Sequence, residues 1–209
     1  MNKILIILLS FALVNCQSPS KKLDIAKEAK PGTNLSLAKA GLSEKDVVDA
    51  YVYVLGRYLV IRQERLDIAD KNSGYNKMKY VPLAKAGTVN PNLDVAYSEA
   101  WVAVDQQSCQ ILEVPKISNR YYTVQVLDEW ANILTNINER TYPQQPYGKF
   151  SFCLKGTTGT PPVDTVRIEL PSEKAKLVAR VERKGSEAET IRLQKGFRSE
   201  EHTSELQSH

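Results

Sequence analysis

Histidine is almost absent from this chain of 209 residues: there are two, His202 and His209, both close to the C-terminus. Up to Glu201 no imidazole is available, so the Ser-His-Asp and Cys-His mechanisms, which need one as base, are excluded for that part. Cysteine is scarce too, at Cys16, Cys109 and Cys153, and no Cys/His group falls at zinc-site spacing. No glycine-rich run ends in Lys and Ser or Thr ahead of a helix; Lys155-Gly156-Thr157-Thr158-Gly159 has the letters in another order and reads as a turn. The net charge is only +4, with lysines and acids interspersed rather than gathered on one face. That pattern excludes a nucleic-acid partner. No motif calls for a cofactor or a metal. The longest apolar run, Ile4 to Val14, is broken at Ser10 and falls well short of the roughly 20 residues a spanning helix needs.

What is present at the start is a leader. Met1-Asn2-Lys3 supplies a short positive start, the apolar run follows, and Leu13-Val14-Asn15-Cys16 resembles the lipobox of bacterial lipoproteins. Residues 1–15 are therefore expected to be a signal peptide and Cys16 the lipidated first residue of the mature chain. Several acyl chains hold a protein at about 0.8 kcal/mol per buried methylene. The expected partner is a membrane, outer or inner, with the protein in the cell envelope facing the periplasm or the exterior. Residues 16–42, rich in Lys, Ser, Pro, Gly and Ala without periodicity, read as a flexible tether. At the other end, Arg198 to His209 matches the in-frame translation of a sequencing adapter. That tail is expected to be disordered and to touch no core, and the natural chain is expected to continue past Phe197.

Between these ends lies one domain, 43–197. Ser43-Glu44-Lys45-Asp46 forms a capping box, and the spacing of Val47, Tyr51, Val54, Tyr58 and of Val48, Val52, Leu55, Leu59 predicts a helix running to about Asp67 whose broad apolar stripe packs on the core. The segment 70–92 is loop-rich, with room for a short strand around Lys79 to Leu83. The period then changes to two. Val95 to Ala103, Ile111 to Val114, Tyr121 to Leu127, Phe150 to Leu154, Thr165 to Leu170 and Ala175 to Glu182 read as strands, and Ser186 to Gln194 as a closing helix. The expected fold is mainly β with an N-terminal helix: an antiparallel, immunoglobulin-like β-sandwich. Cys109 and Cys153 form an even pair in an oxidising compartment, either bonded to each other or as two unbonded cysteines in strands.

Polar and aromatic residues concentrate between Asn90 and Asn132. Asn90-Pro91-Asn92-Leu93-Asp94, Tyr97-Ser98, Ala100-Trp101, Leu112-Glu113-Val114-Pro115, Arg120-Tyr121-Tyr122, Gln125 and Leu127-Asp128-Glu129-Trp130-Ala131-Asn132 together resemble the bacterial domain-of-unknown-function family numbered 1254. The resemblance runs from Ala50-Tyr51-Val52-Tyr53 to Leu193-Gln194. It implies an immunoglobulin-like sandwich followed, in family members, by a second all-β domain of the family numbered 1214, which is expected to lie past Phe197 in the natural chain and to be the partner in cis. That second domain is expected to dock on an apolar patch near the last strands. Two departures stand out: Gly56-Arg57-Tyr58-Leu59 where the family has Gly-Tyr-Pro-Leu, which should leave the helix straight, and Val95 where a threonine is common. The family carries no activity to transfer.

Two functions remain open. One is a binding or structural envelope protein presenting a groove, lined by aromatics such as Tyr97, Trp101, Tyr121, Tyr122 and Trp130, to a small polar ligand or a partner. The candidate binding residues are Asn92, Asp94, Arg120, Gln125, Asp128 and Asn132. The other is a hydrolase using Asp94 and Asp128 as acid and base, in a site completed by the second domain; it requires the two strands to pair so that these carboxyls lie within about 10 Å.

Overall fold

The computed structural model describes residues 37–70, 73–83 and 92–203. The leader, Cys16, most of the tether, Asn90-Pro91 and residues 204–209 lie outside the described residues. The chain divides into two units, Met1–Glu44 and Lys45–His209. In the first, the regular structure described is a short 3-10 helix, Leu37–Ala40.

The second unit is a two-layer β-sandwich. One sheet has the strand order β1 (Lys79–Tyr80), β2 (Val95–Ala103), β8 (Lys174–Glu182), β4 (Tyr122–Leu127), β5 (Ile133–Ile137); the other runs β7 (Thr165–Leu170), β6 (Gly148–Leu154), β3 (Ser108–Val114), β9 (Arg198–Thr203). Alternation decides the faces. In β8, Ala175, Leu177, Ala179 and Val181 are buried, while Lys174, Lys176, Arg180 and Glu182 point out of the sandwich. Between the sheets Val102, Leu112, Val124, Phe150, Phe152 and Leu177 are fully enclosed. The strands expected from alternation are all present, and β6–β7 departs from the antiparallel rule by pairing in parallel. Cys109 and Cys153 face each other across β3 and β6 and are bonded, with Cα atoms 4.6 Å apart. The closing helix α2 (Glu187–Gln194) is capped by the Ser186 side chain, which accepts the Glu189 N–H.

Three expectations need correction. The tail is not wholly disordered: Arg198–Thr203 pairs with β3, and Gln110 Nε2 donates to Ser199 Oγ at 2.7 Å. Strand pairing uses backbone groups that every residue but proline carries in full, so an uncharacteristic sequence can still fill an open edge. Helix α1 (Glu44–Ile68) forms and runs without a break, yet its apolar stripe does not enter the core: Val47, Val48, Tyr51, Val52, Val54, Tyr58 and Leu59 are all exposed and Glu64 is its buried residue. Polar pairs with the sheet decide that orientation. Third, the exposed large apolar side chains concentrate on α1, with Trp130 against it, and not on β7, β8 or α2.

Candidate functional site

At the head of the sandwich an open cleft of about 730 Å³ lies where the approach to β4 meets the end of β5, lined by Ser118, Asn119, Arg120, Tyr121, Thr123 and Asn136 together with Tyr122, Asn138, Glu139 and Arg140. Asn119 adopts a left-handed backbone (φ 60°), a conformation asparagine tolerates, and this turns the chain sharply into β4. Its carbonyl accepts from Lys184 Nζ at 2.7 Å. Asn138 is committed to structure: its Oδ1 accepts from the Arg140 and Thr141 backbone N–H groups and its Nδ2 donates to Thr123 Oγ1. Tyr122 is committed too, donating to the Pro146 carbonyl at 2.7 Å, and burial pushes its phenol up to about 12. The side chains of Ser118, Asn119, Tyr121 and Asn136 make no hydrogen bond among the described residues.

Arg120 is the one expected site residue that lines this cleft. Its side chain is 8% exposed, held by Glu189 of α2 at 3.1 Å and donating to the Glu182 carbonyl. Asn92 and Asp94 form their own turn at the same end, Asn92 Oδ1 accepting the Asp94 N–H, beside a smaller hollow with Arg183 and Glu187. Gln125 sits on the outer face of the sheet, accepting from Arg180 at 3.5 Å. Asp128 and Asn132 are at the far end, where Asp128 accepts from the Trp130 and Asn132 N–H groups and from Asn132 Nδ2.

The expected Asp94–Asp128 pair therefore does not exist. β8 lies between β2 and β4, so those two strands run parallel to one another rather than pairing. Asp94 is held to Arg183, whose N–H donates to its carbonyl, while Asp128 continues the Leu127–Lys176 register towards Ala175. Eight residues of strand at about 3.3 Å each put the two near 26 Å apart. Carboxyls so far apart cannot flank one glycosidic bond.

A second polar cluster, which sequence reasoning missed, fixes α1 to the outer face. Glu64 accepts from Tyr75 and from Lys174 (2.7 Å); Asp67 accepts from Trp101 Nε1 (2.9 Å) and Lys176 (3.0 Å); Arg57 donates to Glu129 at 2.6 Å; and the Tyr53 and Trp130 rings meet at a tilt of 55°, centroids 5.5 Å apart. Burial pushes the Glu64 and Asp67 carboxyls up, but their hydrogen bonds (from Lys174 and Tyr75, and from Trp101 and Lys176) and the lysine charges outweigh it, so both end below the ordinary value. Lys174 is raised by its hydrogen bonds to Glu64 and Tyr75. The lowered carboxyls contribute stability that is present above their unfolded values and lost as pH falls through the folded ones; the lysine contribution is present below about pH 10 and lost only above its raised value. Docking of α1 is thus expected to be constant from about pH 5 to 9 and to weaken below about pH 4. Both tryptophans of the chain, Trp101 and Trp130, touch α1 residues, so the check is their emission: a shift below pH 4 while the far-ultraviolet β signal persists. Emission unchanged to pH 3 would contradict it.

Among the described residues no three His, Cys, Asp or Glu side chains gather to hold a metal. The family model "Protein of unknown function (DUF1254)" matches residues 72–201, well over half of the chain. The chain belongs to the DUF1254 family. No curated protein matches it. Among solved structures it is similar to the VPA0106 protein of Vibrio parahaemolyticus, at 19% identity and a TM-score of 0.57 over 74% of this chain and 37% of that one. At that identity the likeness shows the fold alone. A putative uncharacterized protein from Burkholderia cenocepacia, at 11% identity and a TM-score of 0.43 over 62% of this chain and 35% of that one, is too distant to carry an argument. The chain thus spans little more than a third of the length of either solved chain. In this DUF1254 domain the cleft residues Asn136, Asn138 and Arg140 had no signal in the sequence, since β5 follows its turn too closely to stand out as a strand.

Proposed function

We propose that this DUF1254 chain is an exported, lipid-anchored envelope protein that binds a small, neutral, polyhydroxylated ligand such as a saccharide in the cleft at the head of its sandwich. The observation that carries this reading is the set of four side chains, Ser118, Asn119, Tyr121 and Asn136, that line one cleft without an intramolecular hydrogen-bond partner among the described residues. Amides and hydroxyls both donate and accept, as a sugar's hydroxyls require. Tyr121, 53% exposed, offers a ring face beside them. Charge favours a neutral ligand, because Arg120 is matched by Glu189 and Arg140 has Glu139 next to it. Export is supported by the leader pattern and by the buried disulfide, which needs an oxidising compartment. The partners in this reading are a membrane, through the lipid on Cys16, and a second all-β domain in cis.

Titration calorimetry with a panel of mono- and disaccharides tests it. Binding by at least one sugar is expected, with Asn136→Ala or Tyr121→Ala weakening it about tenfold, the equivalent of about 1.4 kcal/mol. A panel that gives no heat, or affinities indifferent to both substitutions, would remove the ligand site.

A further inference from the structure

The head cleft has a neighbour. A second hollow, of about 430 Å³, opens at the same end of the sandwich and is lined by Leu93, Asp94, Arg183, Gly185, Glu187 and Thr190. The backbone fixes how the two lie. β8 runs between β2 and β4, and at its end the Arg183 N–H donates to the Asp94 carbonyl while the Glu182 N–H donates to the Tyr121 carbonyl. Two strand spacings put the Asp94 rim about 10 Å from the Tyr121 rim.

The divide between them is the Arg120–Glu189 ion pair. Arg120 lines the cleft, and Gly185 lines the hollow. Gly185 has a left-handed backbone (φ 76°), and a Cβ on it would stand 3.3 Å from Glu189 Oε2 and 3.9 Å from Arg120 Nη2. On the side of the hollow, bare backbone therefore meets that one pair. Lys184, next to Gly185, donates to the Asn119 carbonyl at 2.7 Å and ties the two rims together.

The linings match in kind. Leu93, 56% exposed, gives the hollow an apolar surface as Tyr121 gives the cleft. The carboxylates of Asp94 and Glu187 have no hydrogen-bond or ion-pair partner among the described residues. A carboxylate accepts on both oxygens, which suits neighbouring hydroxyls of a sugar ring. Arg183 is the cationic residue of this lining, and its guanidinium donates to the Leu93 carbonyl. Two carboxylates against one guanidinium disfavour an anionic chain.

We infer that cleft and hollow are two subsites of one groove, and that the ligand is a neutral oligosaccharide, not a uronic-acid chain, lying across the Arg120–Glu189 pair. This rests on the saccharide reading of the cleft and extends it to the length and charge of the chain.

Titration calorimetry of the whole chain tests it with glucose, mannose and N-acetylglucosamine, each as the single sugar and as chains of two to six units. For the sugar that binds, affinity is expected to rise about tenfold or more with length, as the second subsite is reached, and then to level off. Asp94→Ala/Glu187→Ala is expected to abolish that rise, long chains then binding no tighter than the single unit. Neither side chain has a partner in the chain, so the wild-type thermal melt is expected to be kept. Affinity that is flat with length, a rise that survives the double variant, or tighter binding of an oligogalacturonate overturns the inference and leaves the cleft reading standing. No binding by any sugar at any length removes the cleft reading and this inference with it.

Discussion

Replacing both Cys109 and Cys153 with alanine is expected to lower the unfolding free energy by about 4 kcal/mol, read as a fall in the urea midpoint at unchanged slope. The bond closes a loop of sequence separation 44, which sets the entropy it removes from the unfolded chain. Both half-cystines are buried, at 3% and 0% exposed, so the alanines also leave a small void between β3 and β6. The same loss should follow treatment of the wild type with reductant once the sandwich opens. A difference under about 1 kcal/mol would mean that the bond contributes little, and would withdraw its support for an oxidising compartment.

Phe197→Ala is expected to cost about 3 to 5 kcal/mol, the range for emptying a fully buried aromatic site, and to lower the melting temperature by about 10 °C. Phe197 is fully enclosed in the core cluster between α2 and β9, and its carbonyl accepts from the Tyr80 hydroxyl at 2.8 Å. The ring therefore holds the C-terminal end of α2 to the sandwich, and α2 carries Glu189, the partner of Arg120. Loss of the ring should reach the cleft as well as the core, weakening ligand binding in proportion to the looseness of α2. A variant that melts within a few degrees of wild type would show that α2 and β9 are held by something else.

Much of the fold was readable from local pattern because alternation is local. β8 alternates without a fault, and Thr165–Leu170 stands in the sequence as it stands in the sheet. Ser43 marked the start of α1 for the same reason. Which face of α1 meets the sheet was not readable, because the helix is apolar nearly all round; the orientation is decided by Glu64 and Asp67 meeting Lys174 and Lys176, more than 100 residues away in sequence. The site failed on the same ground. Asp94 and Asp128 were each placed correctly at a strand end, but the insertion of β8 between β2 and β4 sends them to opposite ends of the sheet. Arg120 was recognisable as a polar residue entering a strand, whereas its companions Asn136 and Arg140 come from the hairpin partner β5 and the turn that follows it, a strand too short to announce itself.

Ligand binding in the head cleft is tested most directly by mapping backbone amide shifts of the folded chain during titration with the tightest sugar of the panel. The expected perturbations fall on residues 118–123 and 136–140, the two segments that line the cleft from either side of the β4–β5 hairpin. Shifts confined instead to Arg57, Tyr75 and Lys174 beneath α1, or scattered over the surface without saturation, would contradict a ligand site at the head of the sandwich.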